Sequence, residues 1–265
     1  MIDGAARELD RHAYADGPVH RLDARAKLVA TAVYVVCVAS FGKYEVAALL
    51  PFLAFPVTLA LAGRVPPRPA ARLLLAASPF ALLVGAWNPL LDRAPRAVLL
   101  GLSLSGGALS LASIVLRFLL CTSAALVLVA TTPLPALLRG LAQLGVPRAF
   151  VTQVQLLYRY LFLVVDEARR VGHARALREP SRRLPRAATA RRMLASLLLR
   201  SWERADRIHD CMRARGFDGA FHVLSPSRFG SRDALFAAGV AAGCLLLRAA
   251  PTARVLAALL AGGRA

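Results

Sequence analysis

The sequence predicts an all-α fold, a polytopic helical membrane protein with two long amphipathic helices on the cytoplasmic side. Three observations predict it. The chain is 57% hydrophobic with mean hydropathy +0.55, more apolar than a soluble domain of 265 residues. Its net charge is +19, and the charge is kept apart from the apolar runs. Apolar residues fill most of 28–130 and 234–261, whereas arginine crowds 139–232. Arginine-rich and arginine-poor loops alternate, as they do when Lys and Arg collect on the cytoplasmic side.

The elements follow in order. Residues 1–27 form a polar N-terminal arm with Asp3, Arg7, Glu8, Asp10 and Arg11, and no apolar core that would make a cleavable signal peptide. Residues 28–130 hold about four membrane helices, with apolar runs at 28–42, 46–62, 71–87 and 108–130. Pro51 and Pro56 fall inside the second run, where neighbouring helices can satisfy the freed backbone groups. Trp87 ends the third run beside Asn88-Pro89, a place suited to the membrane interface. Arg117 interrupts the fourth. Either it faces protein or water, or the helix starts later and Arg117 snorkels. The N-terminal arm, the loop with Arg64, Arg68 and Arg72, and the region after 130 are basic, which places all three inside.

Residues 131–232 read as a short amphipathic helix followed by two long ones. Thr131-Thr132-Pro133 closes the fourth run and caps the short helix. Pro147 starts the first long helix, whose apolar stripe is Phe150, Val154, Leu157, Leu161 and Val165. That helix runs to about Arg178, ahead of Pro180 and Pro185. The second spans about Arg186 to Arg215, with Leu194, Leu198, Trp202, Ala205, Ile208 and Met212 as its stripe and Gly216 at the C-cap. The two are expected to pack on each other or on a partner. Residues 233–265 carry the final apolar stretch, 234–247 and a shorter run at 253–261, as one membrane helix or two.

Motifs for chemistry are missing from the chain. It has no GxxxxGK[ST] phosphate loop, no HExxH and no GxSxG. His12, His20, His173, His209 and His222 have no metal-site spacing, and Cys37, Cys121, Cys211 and Cys244 form no CxxC pair. What stands out is arginine where each long helix ends: Leu177-Arg178-Glu179 and Ala214-Arg215-Gly216. Such an arginine either complements the helix dipole or projects its planar fork into a partner's groove.

Several stretches resemble one family over residues 10–232. They are HRLDARAKL (20–28), GKYE (42–45), LLPFLAFP (49–56), VGAWNPLLDR (84–93), LRFLLCTSAALVLVATTP (116–133), LGVPRAF (144–150), LLYRYLFLVVDEARR (156–170) and RADRIHDCMRARGFDGAF (204–221). Together they resemble the transmembrane T component of energy-coupling factor (ECF) transporters, in its CbiQ cobalt/nickel branch. The resemblance implies a non-catalytic scaffold of the bacterial inner membrane, with a cytoplasmic N-terminus. It implies two CbiO-like cytoplasmic ATPase subunits, which bind the ATP, and a CbiM-like membrane S component, with a CbiN-like subunit as an accessory. Co2+ or Ni2+ would be carried by the S component, leaving this chain without a cofactor or metal site. The long helices would be coupling helices, each ending in an Ala-Arg-Gly-like motif that docks in an ATPase groove. Ala214, Arg215 and Gly216 match that motif fully. Leu177, Arg178 and Glu179 depart from it at Glu179, so Arg175 is an alternative first docking residue. A T component for a vitamin would share the scaffold. A membrane-anchored protein binding nucleic acid or anionic lipid through its arginines is the alternative of another class; for single strands it would need exposed aromatic platforms among them.

Overall fold

In the computed structural model the described residues are 2–42, 46–87, 95–99, 102–178, 187–219, 221 and 229–249. They form helices throughout, apart from one two-stranded hairpin. The chain divides into two compact units, Met1–Gly140 with Ser227–Ala265, and Leu141–Pro226.

The first unit begins with α1 (Ile2–His12) and α2 (Ala24–Ala39). A helical stretch follows as α3 (Val46–Leu49), a 3-10 turn (Leu50–Leu53) and α4 (Ala54–Ala62). The tighter turn falls at Pro51, which cannot donate to an α-helical ladder. Helix α5 (Pro67–Ala86) starts on a proline at its first position and has Pro79 inside it. Strands β1 (Pro95–Leu99) and β2 (Leu102–Ser105) pair antiparallel, a hairpin that no apolar run announces. Helix α6 (Gly106–Thr131) is the longest of this unit, and α10 (Ser231–Ala249) closes it. The run 253–261 lies outside the described residues.

Two helices, Pro67–Ala86 and Leu109–Thr131, are long and apolar enough to cross a membrane. Only 17% and 28% of their apolar windows are buried within the protein. Leu75, Phe80, Leu83 and Trp87 all stand exposed along or just after α5. The core helix of a soluble protein would bury such a face, and a bilayer leaves it as drawn.

The core lies where α2 passes α6 and α10. Tyr34, Val38, Leu49, Phe52, Leu120 and Ala124 are its buried centre. Tyr34 donates its hydroxyl to the Phe52 carbonyl at 2.9 Å and stacks on Phe55 with 4.5 Å between ring centroids. That carbonyl belongs to the 3-10 turn, so Tyr34 supplies a partner where the regular ladder is broken. Arg117 lies well inside α6 rather than before its start, and it faces protein. Its guanidinium donates to the carbonyls of Phe41, at 2.8 Å, and Gly42, just past the end of α2. Arg248 bonds Ser40 and lies over the Phe41 ring. Two cations thus meet the negative end of the α2 dipole.

The second unit holds α8 (Arg148–Arg178) and α9 (Ala187–Ala214). The short helix α7 (Leu134–Gln143) precedes them, with Leu137 and Leu138 buried in the first unit. It stops at Gly145, whose φ of 101° lets Val146 N–H reach back to the Leu141 carbonyl. Pro133 accepts the first N–H groups of α7 through its carbonyl. The two threonines before it do not cap that helix: the Thr131 hydroxyl bonds back to Val127, and Thr132 is engaged elsewhere.

Candidate docking site on the two long helices

Helices α8 and α9 run antiparallel. The Arg200 guanidinium donates to Glu167 at 2.8 Å, and Arg170 meets the same carboxylate at 3.4 Å. At the other end, buried Thr152 donates its hydroxyl to the Gly219 carbonyl at 3.1 Å. The apolar stripes are covered only in part: Val154, Val165, Ile208 and Met212 are half-buried. Phe150, Leu157 and Leu161 on α8, and Leu194, Leu198 and Trp202 on α9, all remain exposed. The exposed part of each stripe is set aside for something other than the sister helix.

The helix ends stand out from this pair. Leu177 is 86% exposed and Arg178, the last residue of α8, is exposed beside it. Glu179 lies outside the described residues. Arg175 is half-buried and shares with Arg178 a groove that Glu167, Arg170, Met193 and Arg200 also line. At the other end Ala214 closes α9, with Arg215 and Gly216 exposed after it. Gly216 has φ 79°; its N–H bonds the Arg213 carbonyl and the Phe217 N–H bonds the Met212 carbonyl. That pair of bonds is a Schellman cap, and only a residue comfortable in the left-handed region fits it. The cap consumes helix-end carbonyls and leaves the Arg215 side chain to project. Because the helices are antiparallel, Arg178 and Arg215 sit at opposite ends of the pair, on the order of 40 Å apart at 1.5 Å per residue.

A second cluster, in the first unit, was not singled out from the sequence. Lys27 is buried and donates to the Thr131 carbonyl and the Thr132 hydroxyl, both at 3.0 Å. Its ammonium therefore closes the C-terminal end of α6. Asp23 caps α2 through the Arg25 N–H, and its own N–H donates to Asp233 at 2.8 Å. Asp233 in turn accepts from the Gly230 N–H at the start of α10. Burial lowers the Lys27 pKa from 10.5 to about 8, and Asp23 and Asp233 pull it back up only in part. Gly140 makes room for the cluster: a side chain there would press on Leu28 and the Ala24 backbone. The signal in the sequence was Asp23 and Lys27 four apart on one helix face. Asp233 lies 210 residues from Asp23, and no local pattern connects them.

Among the described residues no group of three or more His, Cys, Asp or Glu is placed to hold a metal ion. The four cysteines are free, with Cys37 and Cys244 buried. Two apolar helices of lipid-spanning length, left mostly unburied by the rest of the protein, are the features of a membrane protein. The chain belongs to the CbiQ family of cobalt transport proteins, which it matches across residues 16–224. It is 34% identical to the cobalt transport protein CbiQ of Rhodobacter capsulatus, over 71% of this chain and 88% of that one. It is 33% identical to the CbiQ protein of Salmonella typhimurium, over 40% of this chain and 48% of that one. A stretch covering 34% of this chain is 34% identical to 15% of a "fused cobalt transport protein CbiMQ" of Methanocorpusculum labreanum.

Proposed function

We propose that this chain is the T component of an ECF-type transporter, the scaffold through which ATP hydrolysis drives uptake of cobalt or nickel. Two CbiO-like ATPase subunits bind and hydrolyse ATP, and a CbiM-like S component carries the metal. The chain itself performs no chemistry. The observation that carries this reading is the pair of exposed arginine-bearing helix ends, Leu177-Arg178 and Ala214-Arg215-Gly216, at opposite ends of one braced helix pair in a CbiQ-family chain. Two separated anchors suit two motor subunits. Each planar fork can take a carboxylate or helix-end carbonyls in a motor's groove. Glu179 completes the first motif in sequence. The fused CbiMQ relative supports a CbiM-like partner, since joined chains are held side by side.

The Lys27 cluster fits the same role. Residues 131–132 lie at the end of α6 and Asp233 in the first turn of α10. Both are bonded to the first turn of α2.

The orientation proposed is multi-pass in the bacterial inner membrane, with the N-terminus and residues 133–232 cytoplasmic. Cysteines introduced at Arg68 and Arg191 are expected to resist membrane-impermeant maleimide in intact cells and to react after permeabilisation. Labelling of both from outside would reverse the orientation and place the arginines where no ATPase could reach them.

A further inference from the structure

We propose that the groove between the first half of α8 and the second half of α9 binds the headgroup of an anionic phospholipid. The groove has a volume of about 470 Å3 and is ringed by Arg159, Arg204, Arg207 and Arg215. No acidic side chain among the described residues lines it; the nearest carboxylate contact of the four is Glu203, 4.0 Å from Arg207. The other groove of this helix pair differs, because Glu167 there pairs with both Arg170 and Arg200. Arg159, Arg204 and Arg215 make no ion pair with a described residue, and three such guanidinium groups around one groove call for an anion, whose phosphate oxygens match their fork.

The apolar lining decides which anion. Ile208 and Met212 face the groove together with Leu156 and Phe221. At helical spacing Ile208 and Met212 continue the stripe of Leu194, Leu198 and Trp202, which are exposed at 67–68%. A free phosphate would use the arginines and leave that stripe bare. A phospholipid uses both: the phosphate sits among the arginines and an acyl chain follows the stripe from Met212 toward Trp202. Helices with one apolar face and a basic flank lie at membrane interfaces, where Lys and Arg are drawn to an anionic leaflet. This ligand is separate from the ATPase contact, although Arg215 stands at the edge of both.

The chain has two tryptophans, so Trp87→Phe leaves Trp202 as the only reporter. The full-length Trp87→Phe protein is titrated in mixed micelles with brominated phosphatidylglycerol or brominated phosphatidylcholine of equal chain length, and quenching of Trp202 is read. Phosphatidylglycerol is expected to quench at least fivefold more tightly. Adding Arg159→Gln, Arg204→Gln and Arg207→Gln should abolish the preference while helicity by circular dichroism stays unchanged. The triple Lys variant, which keeps the charge, should retain part of it and serves if the Gln variant fails to fold. Millimolar inorganic phosphate should not compete; full competition would make the site a phosphate site and overturn the proposal. Equal quenching by the two lipids would overturn it as well. So would a triple Gln variant that keeps the lipid preference but loses retention of the ATPase subunits, because the groove would then be a protein interface.

Discussion

The Arg178→Glu/Arg215→Glu double variant is expected to reach the membrane at normal abundance and to lose the ATPase subunits on co-purification. Arg178 and Arg215 are exposed at the ends of α8 and α9, and neither makes an ion pair with a described residue of this chain. Reversing their charge therefore leaves the fold of the helix pair in place. The Schellman cap depends on the Gly216 backbone, not on the Arg215 side chain. At the interface the change is much larger. Each anchor is expected to lose about 2–5 kcal/mol, as for truncated charge pairs in other interfaces. Since 1.4 kcal/mol is tenfold, two such losses exceed what a complex can withstand during washing. Single variants should lose transport more than assembly, because one anchor holds the complex but cannot drive both sides. Arg→Lys should also be impaired, as a point charge cannot reproduce the bidentate fork. Full ATPase retention by the double Glu variant would reduce the two arginines to helix-end charges.

The Lys27→Met variant is expected to lose stability through the two hydrogen bonds its side chain makes. The side chain is buried, with Thr131, Thr132 and the carboxylates of Asp23 and Asp233 around it. Methionine keeps the volume and removes the ammonium, so the Thr131 carbonyl and the Thr132 hydroxyl lose their buried donor and α6 loses its end cap. Leaving buried hydrogen-bonding groups without their donor costs about 1–3 kcal/mol, read as a fall in the melting temperature of the purified protein. The pH dependence has a definite sign. With the folded pKa near 8 and the unfolded one at 10.5, the unfolded chain binds more protons between those values. Wild-type stability should therefore rise across pH 8 to 10.5 relative to Lys27→Met. A flat difference between the two proteins over that range would mean that Lys27 is not buried as drawn.

Much of the architecture was legible because it rests on local signals. The run 108–130 becomes α6, Gly216 caps α9 as glycine after a helix should, and Pro147 stands just ahead of α8. The two readings of Arg117 could not be separated from the sequence, since its partners, the carbonyls of Phe41 and Gly42, come from another helix. The stripes on α8 and α9 were visible by spacing, yet spacing cannot say what covers a stripe. The structure leaves them exposed in part and braces the helices through Glu167 and Arg200 as well. The Lys27 cluster was hidden for the same reason. Its members are a lysine, two threonines and two aspartates spread over three helices and their ends, and each alone reads as a solvated surface residue. The β1–β2 hairpin went unread because its strands are short and its alternation, Leu102-Ser103-Leu104-Ser105, lasts four residues.

The central claim is that this chain joins motor to cargo carrier without reacting itself. Proteoliposomes holding the CbiO-like ATPases and the CbiM-like component, with and without this chain, test it through ATP hydrolysis and uptake of radioactive Co2+ measured together. The account predicts ATP-dependent uptake only when this chain is present, and no hydrolysis from the chain alone. ATP-driven uptake at the same rate without the chain, or hydrolysis by the isolated chain with contaminants excluded, would contradict it.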